Sequence, residues 1–246
     1  MDSSFLIHQA ALMALLFGIY YATGKLVIHT GIKVNYTRKI DHFALFFLPF
    51  LLDMLFAYPK SLSTRALGLA ISICSLGIFV KPIRERSKTI STMFMSFDRP
   101  EDRPNTLFWL TTQYIAAAIV IVPLIMCFDF LQKPALVFIP ILINGLGDGL
   151  AEPIGVRFGR MKYQVRALFS DKLYVRSIEG SLCVFVAGVL SIIAFRDSFT
   201  PAQFMAALAL IPISTTLAEA FSPHTWDTPF IYGTAGVLLI GIVSFL

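Results

Sequence analysis

Apolar residues in this chain come in long runs and not in alternation. Eight stretches, at about 5–23, 41–58, 62–80, 106–130, 134–152, 179–195, 200–220 and 229–246, approach the roughly 20 residues that a helix needs to cross a bilayer. None shows the period-two pattern of a membrane β-barrel strand. The predicted fold is therefore all-α, a polytopic integral membrane bundle of about eight transmembrane helices forming a single domain over residues 1–246. The boundaries are weakest at Pro59 and at Gln132-Lys133-Pro134, where the connecting turns are short. Lys81 to Phe97 is too polar to span. Ile83, Ile90, Met93, Phe94 and Phe97 recur there at helical spacing, with Lys81, Arg84, Arg86 and Lys88 among them. This predicts one interfacial amphipathic helix, a plain charged connector being the alternative.

Composition agrees with the runs. The 246 residues are 57% hydrophobic and 14% charged, against about 45–50% and about 25% in soluble domains. Cys74, Cys127 and Cys183 all lie in apolar runs, at spacings that suit neither a zinc site nor a disulfide framework, so buried thiols are expected. Met1-Asp2-Ser3-Ser4 carries no basic stretch and the first run is long enough to span, so a membrane helix is expected there, not a cleaved leader.

Charge orients the bundle. Lys25, Lys33, Arg38 and Lys39 fall in one connection, Lys81, Arg84, Arg86, Lys88, Arg99 and Arg103 in another, and Arg157, Arg160, Lys162, Arg166, Lys172 and Arg176 in a third. All three lie on the same side of the predicted bundle, whereas the opposite side holds only Lys60, Arg65, Lys133 and Arg196. Basic connections stay cytoplasmic, which puts both termini on the other side. The net charge of +5 is thereby concentrated on one face. It implies anionic headgroups or phosphates as partners, and nothing asks for nucleic acid. A homo-oligomer is compatible with the pattern.

Four polar clusters fall on that face. Arg38-Lys39-Ile40-Asp41-His42 opens the second run. His42 lies within one helical turn of Arg38 and Lys39, which suits a phosphate clamp or a base beside one, or else a simple basic anchor. Asp98-Arg99-Pro100-Glu101-Asp102-Arg103-Pro104 could hold an anion between two guanidinium groups, or its arginines and acids could pair with each other. The third cluster departs most from a plain span. The apolar Pro140-Ile141-Leu142-Ile143 runs into Asn144, then Gly145, Gly147 and Gly149 surround Asp148, and Glu152 follows. Ionisable residues at membrane depth are costly and mark function by default. Asp148 and Glu152 are four apart, so one helix face carries two hard oxygen donors, which suits Mg²⁺. Gly155 and Gly159 continue the theme with Arg157 and Arg160, although glycines in membranes also serve close helix packing. The fourth cluster holds Glu219, Ser222, His224 and Asp227, at the end of one run and the start of the next. Asp227 has the character of a helix cap; Glu219 does not. There is no GxxxxGK[ST], GxSxG, HExxH or CxxC, which removes support for P-loop, serine-hydrolase, zincin and thiol-redox chemistry.

These clusters resemble the CTP-dependent polyprenol kinases, the family of dolichol kinase and phytol kinase, which is similar in turn to the membrane cytidylyltransferases. The family pattern D-x-x-A-x-x-x-G-x-x-x-G, a basic loop and then E-G is matched by Asp148, Ala151, Gly155 and Gly159, and later by Glu179, Gly180 and Ser181. An early R-K-x-x-H is matched by Arg38, Lys39 and His42, and a late E followed by D-N-x-x-x-P is matched in part by Glu219 and Asp227-Thr228-Pro229. The resemblance covers roughly residues 36–230. The chain departs from it in a longer loop between Gly159 and Glu179, and in Thr228 standing where Asn is usual.

What the resemblance implies is Mg²⁺-dependent transfer of the CTP γ-phosphate to the hydroxyl of a membrane isoprenoid alcohol. It gives Asp148 and Glu152 to the metal, with Glu179 assisting. It gives the nucleotide to Arg38, Lys39, Gly147, Gly155, Arg157, Gly159, Arg160, Lys162, Lys172, Arg176, Glu179, Gly180 and Ser181. His42, Glu219 or Asp227 would take the proton from the alcohol. A cytidylyltransferase acting on a lipid phosphate is the alternative, and a transporter is the alternative of another class. The one-sided clustering disfavours the transporter, whose site would sit near the midplane; only Asp53 and Asp129 stray from that face, and they are expected near the opposite surface, Asp129 at a span end.

Overall fold

A computed structural model describes residues 3–168 and 170–246; Met1, Asp2 and Phe169 lie outside the described residues. Six helices among the described residues are long and apolar enough to cross a membrane: Ser3–Thr30, Leu62–Phe79, Thr106–Phe130, Pro134–Phe158, Pro201–Phe221 and Asp227–Phe245. Their outward surfaces are apolar: Phe130 is 85% exposed and Phe221 80%. Exposed apolar surface on that scale suits lipid, not water. The segments predicted at 41–58 and 179–195 are helical too, as Val34–Leu55 (α2) and Ile178–Ala194 (α9). The first is interrupted by Arg38, Lys39, Asp41 and Asp53, and the second is 17 residues long, so neither is among the six. The chain folds as two compact units, residues 1–114 and 115–246.

In the first unit, Ser3–Thr30 (α1) buries Phe5, His8, Leu12, Leu16, Tyr20 and Thr23. Those positions recur every three or four residues and form one helix face. Leu12, Leu16 and Tyr20 pack with Leu52 of α2, with Leu76 and Phe79 at the end of the helix that begins with Leu62–Ser75 (α3), and with Phe94 and Phe97. The aromatic rings meet edge-on, Phe79 and Phe97 at 5.1 Å and Phe94 and Phe97 at 5.1 Å. The expected single interfacial helix is two short ones, Lys81–Arg86 (α4) and Lys88–Phe94 (α5), divided at Ser87. The Ser87 hydroxyl caps α5 by accepting from Ile90 N–H, so the helix restarts there. Phe94 and Phe97 face the protein core, and Gly24 lets the Thr92 carbonyl close onto α1. Cys74 and Cys127, expected to be buried, are exposed on apolar helices, where lipid can cover a small apolar side chain as well as protein can.

The second unit comprises the rest of Thr106–Phe130 (α6), the helix Pro134–Phe158, α9, Pro201–Phe221 (α10) and Asp227–Phe245 (α11). Pro134–Phe158 is not uniform. Phe138–Leu142 (α7) passes through a π-helical turn, Ile143–Asp148, into Gly149–Phe158 (α8). The basic segment expected as a loop folds into an antiparallel hairpin of Lys162–Ala167 (β1) and Ser170–Ser177 (β2). Small residues hold the helices close. A Cβ on Gly147 would lie 2.8 Å from Val184 Cα, one on Gly180 2.7 Å from the Ala151 carbonyl oxygen, and one on Gly188 2.9 Å from Pro212 Cα. Without a hydrophobic drive between helices in lipid, this backbone approach carries the packing.

Gly188→Leu should therefore push α9 from α10 and destabilise the protein by about 1–3 kcal/mol, read as a lowered Tm in detergent. Gly18→Leu, where nothing lies within 4 Å of the new Cβ, should leave the Tm unchanged.

Candidate functional site

The polar groups of the second unit converge on Arg176. This residue is next to last in β2, on the same hairpin face as Tyr163, its cross-strand partner, and Tyr174. Its Nη1 lies 3.2 Å from Glu219 Oε1 on α10, and its Nη2 3.6 Å from Asp227 Oδ2 at the start of α11. Nη1 also donates to the Glu219 carbonyl and to Ser222 Oγ. All three charged side chains are largely buried, at 12%, 5% and 14% exposure. Charges in such a setting need partners, and Arg176 supplies a fork that meets two carboxylates at once.

A hydroxyl relay reaches the same carboxylate. Ser181 Oγ donates to Glu219 Oε2 at 2.7 Å. Its single proton is then spent, so the Tyr163 hydroxyl, 2.6 Å away, donates to Ser181. Burial and the Glu219 charge raise the Tyr163 pKa, partly offset by Ser181 and Arg176, and the phenol stays protonated at neutral pH. The charges of Asp227 and Asp148 also bear on Glu219. Asp148 is buried at the end of the π-helical turn, and Asn144, near the start of that turn, is fully buried. π turns break the regular ladder and are frequent at functional sites. Glu152 follows in the first turn of α8, half-buried.

Local structure explains how the hairpin is aimed. Glu179 Oε1 accepts from the backbone N–H of Arg160 at 2.8 Å and of Met161 at 3.2 Å, which ties the start of the hairpin to α9. Ser177 Oγ caps α9 through Gly180 N–H. At the far end, His224 N–H donates to the Arg166 carbonyl at 2.9 Å, and the His224 ring stacks on Tyr174 at 3.5 Å. The hairpin is thus fastened to both the α9 start and the α10–α11 turn.

The expected residues divide accordingly. Asp148, Arg176, Ser181, Glu219 and Asp227 belong to this network. Glu179 is beside it, engaged as a clasp through Oε1, with Oε2 making no protein hydrogen bond. Gly147, Gly155, Gly159 and Gly180 serve packing. Cβ atoms on Gly155 and Gly159 would lie 2.9 Å and 2.8 Å from the Ser177 hydroxyl. Arg157 and Arg160 are exposed around the end of α8, and the Arg157 guanidinium lies 5.3 Å from the Phe158 ring centre. Lys172 sits near the hairpin tip, 5.1 Å from the Tyr174 ring centre. Lys162, expected with Arg176, faces the other way, because it pairs with Ser177 while Tyr163 pairs with Arg176. Of two further members, Tyr163 is not among the expected residues, and Ser222 stands in the fourth cluster with no role assigned to it. Tyr163 is visible only once the strand alternation is known, and Ser222 only by its nearness to Glu219.

In the first unit, Arg38, Lys39 and His42 occupy the first turns of α2. Lys39 is buried, and His42 is half-buried against Phe46, 4.6 Å between ring centres. Asp41, between them, is buried as well, and its Oδ1 accepts from Thr23 at 2.9 Å. In the Asp98–Pro104 cluster the arginines pair internally, Arg99 with Asp102 at 2.7 Å and Arg103 with Asp98 at 2.8 Å. This favours a structural tie over an anion clamp.

Among the described residues, no three His, Cys, Asp or Glu side chains form a ready-made metal cage. Mg²⁺ does not require one, since it is usually held by one or two carboxylates with water and phosphate completing the shell. Asp148 and Glu152, four residues apart where the π-helical turn enters α8, are two such carboxylates.

Glu219→Leu should leave Arg176 without its nearest acid and destabilise by about 3–5 kcal/mol. Arg176→Leu combined with Glu219→Leu should cost less than the sum of the two single changes, measured as Tm and denaturation midpoint in detergent. Comparison with family models, with curated proteins and with solved structures gives no match for this chain.

Proposed function

We propose that this protein is a lipid kinase that transfers the γ-phosphate of CTP to the hydroxyl of a membrane isoprenoid alcohol. The observation that carries the proposal is the gathering of Arg176, Ser181, Glu219 and Asp227 around one buried guanidinium. These residues come from the same motifs, in the same order, on which the family resemblance rests. The finer topology belongs to this reading: eight crossings with α2 and α9 included, the basic connections cytoplasmic, and both termini opposite.

Phosphoryl transfer asks a protein mainly for positioning and charge neutralisation. Arg157, Arg160, Lys172 and Arg176 would meet the triphosphate. Mg²⁺ held by Asp148 and Glu152 would supply further neutralising charge at the phosphoryl oxygens. The lipid oxygen attacks the γ-phosphorus, the bond to the β-bridging oxygen breaks, and CDP leaves. Glu219 is the base we assign to the released proton, because the Tyr163–Ser181 relay ends on it. The resemblance also gives Arg38, Lys39 and His42 a part, which rests on motif order. The need for a membrane bundle follows from the acceptor, whose hydroxyl is at the interface while its tail is in hydrocarbon.

The test is incubation of the purified protein with γ-labelled CTP, Mg²⁺ and a panel of phytol, farnesol, geranylgeraniol, long polyprenols and diacylglycerol. We expect labelled prenyl phosphate and CDP, loss of turnover on chelation, and recovery with Mg²⁺. Asp148→Asn should lower turnover roughly 100-fold or more while the protein still inserts, the scale set by losing a metal's charge stabilisation. Pyrophosphate with a CDP-lipid would make it a cytidylyltransferase, and full turnover by Asp148→Asn would remove Asp148 from the metal.

A further inference from the structure

The outer face of the β1–β2 hairpin is not used by the Arg176 network. Strand register decides what is on it. Gln164 lies opposite Val175 and Arg166 opposite Leu173, so these four point away from Tyr163, Tyr174 and Arg176, together with Lys162. One strand thus presents Lys162, Gln164 and Arg166, and the other presents Leu173 and Val175. Leu173 is 50% exposed and Val175 61%. Met161, Phe158 and Ile178, at the open end of the hairpin where Lys162 pairs with Ser177, are also exposed. The face is amphipathic across the strands, with a basic row next to an apolar row.

The inner face fixes its height. It is tied to Glu219 and Asp227 through Arg176 and to the α10–α11 turn through Tyr174 and His224. The hairpin also begins just beyond α8 and leads directly into α9. It is therefore held at the level where apolar helices end, which in a spanning bundle is the headgroup region. Apolar side chains there enter the acyl boundary, and Lys and Arg extend to lipid phosphates.

We propose that the outer face of the hairpin is a docking surface for anionic phospholipid. Leu173 and Val175 sit in the acyl boundary, and Lys162 and Arg166 contact headgroup phosphates. The proposal does not depend on the kinase reading.

The test uses full-length protein in vesicles of phosphatidylcholine, with or without phosphatidylglycerol. Cys74, Cys127 and Cys183 are replaced by Ala, and a fluorophore is placed at Leu173→Cys, Val175→Cys or, at the tip, Asp171→Cys. Probes at 173 and 175 should be quenched by brominated lipid, at least twofold more with phosphatidylglycerol, whereas the probe at 171 should be quenched by aqueous iodide. Lys162→Gln with Arg166→Gln should remove the twofold gain. In the unaltered protein, acylation of Lys162 by a water-soluble reagent should slow at least threefold with phosphatidylglycerol, while Lys60 stays unchanged. Iodide quenching at 173 and 175 equal to that at 171 would overturn the proposal. Shielding from both quenchers, the mark of a second copy or another protein, would do the same. Lipid quenching and acylation indifferent to phosphatidylglycerol would overturn the phosphate contacts.

Discussion

A guanidinium withdrawn from water must find acids, and the site in residues 115–246 follows from that requirement. Arg176 is next to the last position of β2, one residue short of the Ser177 cap of α9, and its side chain is turned inward, away from water. Its partners come from the end of α10 and the start of α11, more than 40 positions further along the chain. Breaking such a pair leaves a buried charge, which is worse than never having placed it there. The pairing therefore fixes the hairpin as well as the charge. Glu219, held by Arg176 and Ser181 together, becomes the fixed point on which Tyr163, Asp227 and Asp148 act.

Close approach of the helices makes this possible. Gly147 on Val184, Gly180 on the Ala151 carbonyl and Gly188 on Pro212 draw the π-helical turn, α8, α9 and α10 together until short side chains such as Ser181 can reach across. Gly147, Gly155, Gly159 and Gly180, expected at the nucleotide, each also make a close packing contact. Packing and site geometry are linked, because the same absence of Cβ that seats α8 against Ser177 also sets where Asp148 and Glu152 fall. The proposed chemistry needs a rigid set of charges more than a mobile loop, and small-residue packing supplies one.

Much of the fold is legible in the run lengths, because hydrocarbon admits few alternatives to a helix. Every predicted apolar stretch is helical, including the two that fall outside the six long spans. The hairpin is not legible. Its alternation, with Tyr163, Val165 and Ala167 on one face against Lys162, Gln164 and Arg166 on the other, is masked by charges at both ends and by the absence of a strong turn signal. The segment 81–97 has the periodicity of one helix, yet Ser87 divides it through its own capping bond, and Phe94 and Phe97 pack inward. For the site, Asp148 and Glu219 stand out by composition contrast alone: they are polar where neighbours are apolar or glycine. Tyr163 carries no such contrast. Lys162 and Arg176 lie in one basic segment, and only strand parity separates them.

Hydrogen exchange on the hairpin tests the central claim most directly. If Arg176 anchors the segment, the amides of residues 162–177 in the intact protein exchange slowly, and Arg176→Gln raises their rates about tenfold or more while those of α9 and α10 hold steady, as expected when one local unit loses its anchor. Unchanged hairpin rates in that variant, with the helices equally intact, would contradict it.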